Sequence, residues 1–262
     1  MSRILAISDI HGHAEGTRLL LDAAGYDPAR DELYLLGDFI DWDARTWRAL
    51  GYVRQLVEGG ARAVLGNMER WLLDESDEQR AVAGVPGKGI EPRLGVAIAG
   101  RGGEPLAGAP VPEKERERER EKEREKASRV DSAVPAAELA FLRNTPLCIR
   151  REPYLFVHAG IRPGVELERQ EPADLIGIRK EFWGDSRELP YTVVFGHTPT
   201  HKIGAPAGEI WTGPSRLGID TGAKHGCRLT LVDLTNRTAY SCSTGVADSK
   251  GLYSDFRRSS WG

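Results

Sequence analysis

Residues 3–12 read Arg-Ile-Leu-Ala-Ile-Ser-Asp-Ile-His-Gly. The apolar and β-branched run over 3–8 predicts a buried strand, and it ends directly in Asp9 and His11 with Gly12 behind them. Polar side chains at the carboxyl end of a buried strand are how open α/β sheets present a site. The stretch therefore points both to a fold class and to the place where chemistry is expected. Working outward, a helical pattern at 15–24, an apolar run at 33–36, an amphipathic stretch at 47–58 and a second run at 61–65 follow in turn. That order, β-α-β-α-β, predicts an α/β sheet.

Further along, a helical segment near 69–73 gives way to residues 84–112, rich in Gly, Pro and Ala without a sustained period. They read as a loop or linker. Residues 113–126 then alternate Glu with Lys or Arg. On a helix this places opposite charges at i,i+3 but like charges at i,i+4, so the segment reads as a solvated spacer. A helix at 136–143 and strand-like runs at 154–157, 192–195, 217–219 and 228–234 restore order. The apolar pattern fades from 245, which predicts a loosely held tail. The expected organisation is an N-terminal half at 1–75, a flexible charged insertion at 84–130, a C-terminal half of the same domain at 136–244, and a tail at 245–262.

Composition excludes several classes. With 262 residues and 40% hydrophobic content the chain can bury a sizeable core. A formal net charge of −3 offers neither a basic footprint for nucleic acid nor a polybasic patch for membranes. Cys148, Cys227 and Cys242 form no C-x-x-C pair, so neither a disulfide framework nor a zinc ribbon is indicated and reduced thiols are expected. No stretch approaches the roughly 20 apolar residues of a membrane span, and a soluble, cytoplasmic protein is the expectation. Nothing in the sequence specifies an oligomeric state.

Five polar groups share one feature: Ser8-Asp9-Ile10-His11-Gly12, Gly37-Asp38-Phe39-Ile40-Asp41, Gly66-Asn67-Met68-Glu69, His158-Ala159-Gly160 and Gly196-His197 each follow the carboxyl end of an apolar run. Singly, these would be turn residues, an N-cap or hydrogen-bonded core histidines. Together, in a sheet whose strand ends line one crevice, they point to a single site. Carboxylate oxygens and imidazole nitrogens without a thiolate suit manganese, with iron or zinc as alternatives. There are enough donors for two ions sharing a carboxylate, an arrangement that activates water and stabilises both oxygens of an in-line displacement at phosphorus.

The series D-x-H-G, G-D-x-x-D, G-N-x-E, H-A-G-I and V-F-G-H-T-P resembles the signature of calcineurin-like metallophosphoesterases. More narrowly it is similar to bacterial and phage serine/threonine protein phosphatases and symmetrical diadenosine tetraphosphatases. Ile178-Arg179-Lys180-Glu181-Phe182-Trp183 and Ile219-Asp220-Thr221-Gly222-Ala223 resemble two further segments of that family. The resemblance implies a four-layer α-β-β-α sandwich of two mixed sheets with metals at one rim. It implies two divalent ions, one held by Asp9, His11 and Asp38 and the other by Asp38, Asn67, His158 and His197. It also implies Arg179 gripping phosphate, Asp41 orienting a water or an acid, and direct attack by a hydroxide that bridges the ions. The expected reaction is hydrolysis of a phosphomonoester of the serine/threonine phosphatase type, on a phosphoprotein or nucleotide. The alternatives are a phosphoanhydride or phosphodiester hydrolase, and a pseudophosphatase that binds phosphorylated partners without turnover.

Three positions depart from the family. Met68 stands where relatives carry the histidine that protonates the leaving oxygen, and a thioether has no proton to give. Trp42-Asp43 stands where the protein phosphatases have arginine and glycine, so one phosphate clamp is missing, and Arg45 is the candidate to reach the same oxygens. His225 stands where tyrosine is common and is assigned to substrate binding. His13, His201 and His225 are the imidazoles that could supply the missing acid.

Overall fold

Period-two alternation in the first strand separates two cores. In the computed structural model, which describes residues 2–82, 134–245 and 251–261, β1 (Arg3–Ile7) sends Ile4 and Ala6 to one face and Leu5 and Ile7 to the other. β2 (Asp31–Leu35) and the two-residue β3 (Arg62–Ala63) run parallel to it, and β9 (Arg228–Asp233) and β10 (Thr238–Ser243) extend the sheet antiparallel on the other side. The second sheet holds β4 (Cys148–Arg151), β5 (Tyr154–Val157), β6 (Thr192–Phe195), β7 (Trp211–Gly213) and β8 (Arg216–Gly218) in the order β4-β5-β6-β8-β7. In that sheet β5, β6 and β8 are parallel and the edge strands antiparallel. Both sheets are mixed, as expected.

The sheets meet through Ile4, Ala6, Tyr34 and Val232 of one and Phe156, Val194 and Leu217 of the other. Tyr34 stacks on Phe156 with ring centroids 3.8 Å apart and planes 10° from parallel. The outward faces carry helices. α1 (Ala14–Ala24) buries Thr17, Leu20, Leu21 and Ala24, the i, i+3, i+4, i+7 stripe of an amphipathic helix, against β9 and β10. α2 (Arg48–Glu58) packs beside it. α3 (Asn67–Val82) and α4 (Ala136–Asn144) pack on each other, and the short α5 (Pro172–Gly177) and α6 (Lys180–Trp183) cover the second sheet, where Phe182 meets Phe195 edge-on at 5.1 Å. The result is the four-layer sandwich. Each large apolar side chain so buried contributes about 1.5–3 kcal/mol. Among the described residues no helix is long and apolar enough to cross a membrane. The three cysteines are unpaired.

The insertion at 84–130 lies outside the described residues, as does the Arg45 side chain. The expected tail is different from the sequence reading: β11 (Arg257–Ser260) pairs antiparallel with β10 and closes the edge of the first sheet. All four of its residues are exposed, so it carries no apolar alternation by which a sequence could reveal it. What anchors the segment is a charge. Arg228, buried in β9, donates to the Ser241 hydroxyl at 2.9 Å, the Ser241 carbonyl at 3.0 Å, and the side chain and backbone carbonyl of Asp255. Ending the chain after residue 250 removes the Asp255 acceptors from a buried guanidinium and is expected to lower stability by about 3 kcal/mol. Urea denaturation of the truncated chain checks this, and an unchanged midpoint would contradict it.

Candidate metal centre

The parallel strands of both sheets end at one rim. Asp9 and His11 follow β1, Asp38 and Asp41 follow β2, Asn67 follows β3, His158 follows β5, and His197 follows β6. Four of these residues, Asp9, His11, Asp38 and His197, have φ between 42° and 64°, a region that residues with a Cβ avoid. Backbone held in that region concentrates at functional sites, where the surrounding structure over-determines it. The over-determination is visible. The His11 amide donates to the Asp38 carbonyl at 2.9 Å and the Gly12 amide to the Phe39 carbonyl at 2.8 Å, joining the first two loops. Gly66 and Gly196 permit close approach, because a Cβ at the former would collide with the Asp38 amide and carboxylate, and at the latter with the Asp9 carboxylate.

Glu69 holds the loops from beneath. Fully buried on the first turn of α3, it accepts hydrogen bonds from the amides of Asp38 (2.8 Å), Phe39 (2.8 Å), Ile40 (3.3 Å) and Gly66 (3.1 Å). The sequence reading passed over this role. The signal available was the fourth letter of Gly66-Asn67-Met68-Glu69, which helical spacing returns towards the start of its own helix.

Six predicted residues converge. Asp9, His11 and Asp38 form one group and Asp38, His158 and His197 a second, with the donor atoms of each group within 4.8 Å of one another and Asp38 common to both. His11 Nε2 is 3.8 Å from both Asp9 Oδ1 and Asp38 Oδ2. His158 Nε2 is 3.3 Å from Asp38 Oδ1 and 3.1 Å from Asn67 Oδ1. His11 Nδ1 donates to the Ile40 carbonyl at 3.0 Å and His158 Nδ1 to the Leu36 carbonyl at 2.8 Å, so in the neutral rings both Nε2 atoms carry a lone pair.

This donor set fits divalent cations. A lone pair on His158 Nε2 faces an Asp38 oxygen that is itself an acceptor, a contact that a cation reconciles. His197 Nε2 is buried without a hydrogen-bond partner. Burial, moreover, places four carboxyls together in a poorly solvated cluster. It pushes Asp38 and Glu69 up to about 7 and Asp220 up to about 6, and it raises Asp9 well above the usual carboxylate range, with Asp220 and Asp38 adding repulsion. Burial likewise disfavours the charged imidazoles: His11 is lowered to about 3, with the Lys224 charge adding to the effect, and His158 and His197 are lowered as well. Neutral imidazoles and crowded carboxylates are what a metal ion requires.

The cleft above these groups, about 230 Å³, is also lined by Trp42, Met68, Arg179, Lys202, Lys224 and His225. Arg179 and His225, the substrate contacts expected from the sequence, both line it. Asp41 sits at the edge in a 2.9 Å salt bridge to Lys224, which outweighs the effect of burial and holds its carboxyl below the ordinary value. Met68 is buried in the core, with its amide donating to Asp38 Oδ1 at 3.0 Å. Of the three histidines weighed as acids, His13 is bonded through Nδ1 to the Tyr253 hydroxyl at 3.0 Å and His201 is turned towards His225; only His225 lines the cleft. Lys224 and Lys202 were not singled out from sequence, since a lysine in a Gly-rich turn has no distinguishing pattern.

Replacing Glu69 by Ala leaves four buried amides without their acceptor and is expected to destabilise the protein by about 3 kcal/mol or more, with Glu69→Gln intermediate because it keeps one oxygen. Urea unfolding measures both. Equal stability of all three proteins would show that the carboxylate does not tie the loops.

The calcineurin-like phosphoesterase family model matches residues 2–226. The symmetrical bis(5'-nucleosyl)-tetraphosphatase of Aromatoleum aromaticum is 30% identical over 198 residues, covering 75% of this chain and 58% of the relative. That of Edwardsiella ictaluri is 44% identical over 69 residues, 26% of this chain and 24% of the relative. The chain thus spans less than two thirds of these curated relatives. The crystal structure of a candidate diadenosine tetraphosphatase shares the fold, with a TM-score of 0.61 at 20% identity over 94% of this chain and 95% of that one. Because the family match runs through every strand and loop that carries the six converging residues, this chain belongs to the calcineurin-like phosphoesterase family, whose members depend on metal.

Proposed function

We propose that the chain hydrolyses a phosphoanhydride in a nucleoside polyphosphate, with two divalent ions held by Asp9, His11 and Asp38 and by Asp38, Asn67, His158 and His197. Such ions, manganese in the first instance, would activate a water and stabilise charge on the phosphoryl oxygens. The observation that carries the choice of substrate is the set of cations on one cleft. Arg179, Lys202 and Lys224 line it together, and among the described residues Arg179 and Lys202 form no salt bridge. Three positive groups around one metal site match a chain of phosphates better than a single phosphoryl group.

The phosphomonoester reading, placed first on the sequence, therefore gives way to its anhydride alternative. The relatives named as symmetrical bis(5'-nucleosyl)-tetraphosphatases support the same choice. So does Met68: without an imidazole at that position an alkoxide leaving group is poorly served, whereas a phosphate departs as a stable anion. Arg179 is assigned the orientation of a phosphate by its guanidinium fork, and Trp42, backed edge-on by Trp71 at 4.4 Å, offers an aromatic wall to a nucleobase.

With Mn²⁺ added, kcat/KM for a dinucleoside tetraphosphate is expected to exceed that for a serine phosphopeptide by about 100-fold or more, the usual worth of a general acid. Asp38→Asn is expected to abolish both activities. Preference for the phosphopeptide would sink the proposal, and bound Mn²⁺ with no turnover of either substrate would make the chain a phosphate-binding protein.

Metal binding should also report the buried carboxyls. Protons held by Asp38 and Asp220 compete with the ion, so affinity rises with pH, by about tenfold per unit for each proton displaced, up to about pH 7. Burial disfavours the charged form of all three imidazoles, so the carboxyls carry the slope. Calorimetric Mn²⁺ titrations between about pH 5.5 and pH 7.5, in two buffers of different ionisation enthalpy, count the protons released. A flat affinity would contradict the assignment.

A further inference from the structure

Arg179, Lys202 and Lys224 are the cations that line the cleft without belonging to the candidate ligands. The charge of Arg179 acts on His158 and His197, and that of Lys224 acts on His11 and Asp38. Of the three cations, Lys224 is the one with a built support. Its Nζ donates to Asp41 Oδ1 at 2.9 Å. Asp41 is itself fixed, because its amide donates to the Thr46 hydroxyl at 2.9 Å and its carboxylate accepts the Trp42 amide at 2.8 Å. The lysine stands on a single turn, residues 223–225, bounded by Gly222 and Gly226, both in the left-handed region. An ammonium has three donors, and Asp41 occupies one of them. The side chain is one-third exposed, so the others are available to a molecule in the cleft.

Hydrolysis at phosphorus builds negative charge on the oxygen that departs, and a preorganised donor aimed at that charge is worth more than one recruited from water. Met68 gives no such donor. We propose that Lys224, positioned by Asp41, is the catalytic group that stabilises the leaving oxygen in this chain. The proposal rests on the hydrolase reading above. Water oxygen forms the new P–O bond, and the bond to the leaving group breaks with its electron pair on the departing oxygen, to which Lys224 donates a hydrogen bond as the charge develops. A phosphate leaving group goes as the anion, and the proton lost by the water passes to solvent. A strongly basic leaving oxygen, an alkoxide or phenoxide, takes a proton from Nζ, and Lys224 regains one from that released by the water; a nitrophenolate, like a phosphate, departs as the anion. An ammonium surrenders its proton far less readily than an imidazolium, so Lys224 supplies chiefly fixed charge. That selects leaving groups stable as anions, in keeping with an anhydride substrate.

The test uses the full chain loaded with Mn²⁺, in wild-type, Lys224→Met and Lys224→Arg forms, with Mn²⁺ affinity measured for each to show that the site is intact. Phenyl phosphate and 4-nitrophenyl phosphate differ in the basicity of the leaving oxygen, and a dinucleoside tetraphosphate adds the anhydride. Lys224→Met is expected to lower kcat/KM by about 100-fold on the phenyl ester and by less than about tenfold on the nitrophenyl ester, with Lys224→Arg recovering part of the loss. On the tetraphosphate the loss should fall on kcat and leave KM nearly unchanged. Equal losses on both aryl esters, or a loss confined to KM on the tetraphosphate, would make Lys224 a substrate grip and overturn the proposal. No loss at all would also overturn it. A wild-type protein that binds Mn²⁺ yet turns over none of the three substrates fails the hydrolase reading itself, an outcome separable from the others because it appears before any substitution at Lys224.

Discussion

One carboxylate organises the site. Asp38 belongs to both donor groups, accepts the Met68 amide, and lies within 4 Å of the imidazoles of His11 and His158. Its own backbone is held in the left-handed region by Glu69, which binds the Asp38 amide and the two that follow. A shift of Asp38 would open both groups at once, and this is why the chain devotes a second buried carboxylate to fixing the first. His11 and His158 are oriented by the same logic, each ring turned by a backbone carbonyl so that its free nitrogen faces the shared oxygen atoms.

Such a centre is costly for a folded chain. Four carboxyls are buried within reach of one another, and four non-glycine residues sit in a strained backbone region. A strained residue costs on the order of 1–3 kcal/mol. The offset lies in the sandwich, where two mixed sheets share an apolar interior and carry helices on their outer faces. Rigid strands place the loops, and the loops need only carry the ligating side chains. Bound cations would remove the remaining electrostatic penalty, so the affinity of this site for metal and the discomfort of the metal-free state are two descriptions of one charge distribution.

What distinguishes this chain from the pattern it resembles is the rim. An aromatic pair, a buried thioether and a lysine bound to an aspartate occupy positions around the cleft. In the proposed reading these groups suit a polyanion better than a basic alkoxide. The candidate metal floor and the rim of the cleft thus follow separate constraints. The first depends on donor geometry, and the second on which charges and proton donors the leaving group needs.

Much of the floor was legible without coordinates. Asp9, His11, Asp38, Asn67, His158 and His197 could be found because each ends an apolar run, and in a sheet with parallel strands that position has a spatial meaning. The α/β class was legible for the same reason. The strands β4, β7 and β10 and the edge strand β11 were not, being short, half-exposed or without apolar alternation. Their partners come from backbone pairing, which local composition does not encode. The sequence by itself determined which donor atoms exist and at which strand ends they stand, because periodicity and residue chemistry are local properties. Only the tertiary structure decided that Glu69 ties two loops together and that Lys224 meets Asp41 across 183 residues of chain, because those contacts depend on which strand ends the fold brings side by side.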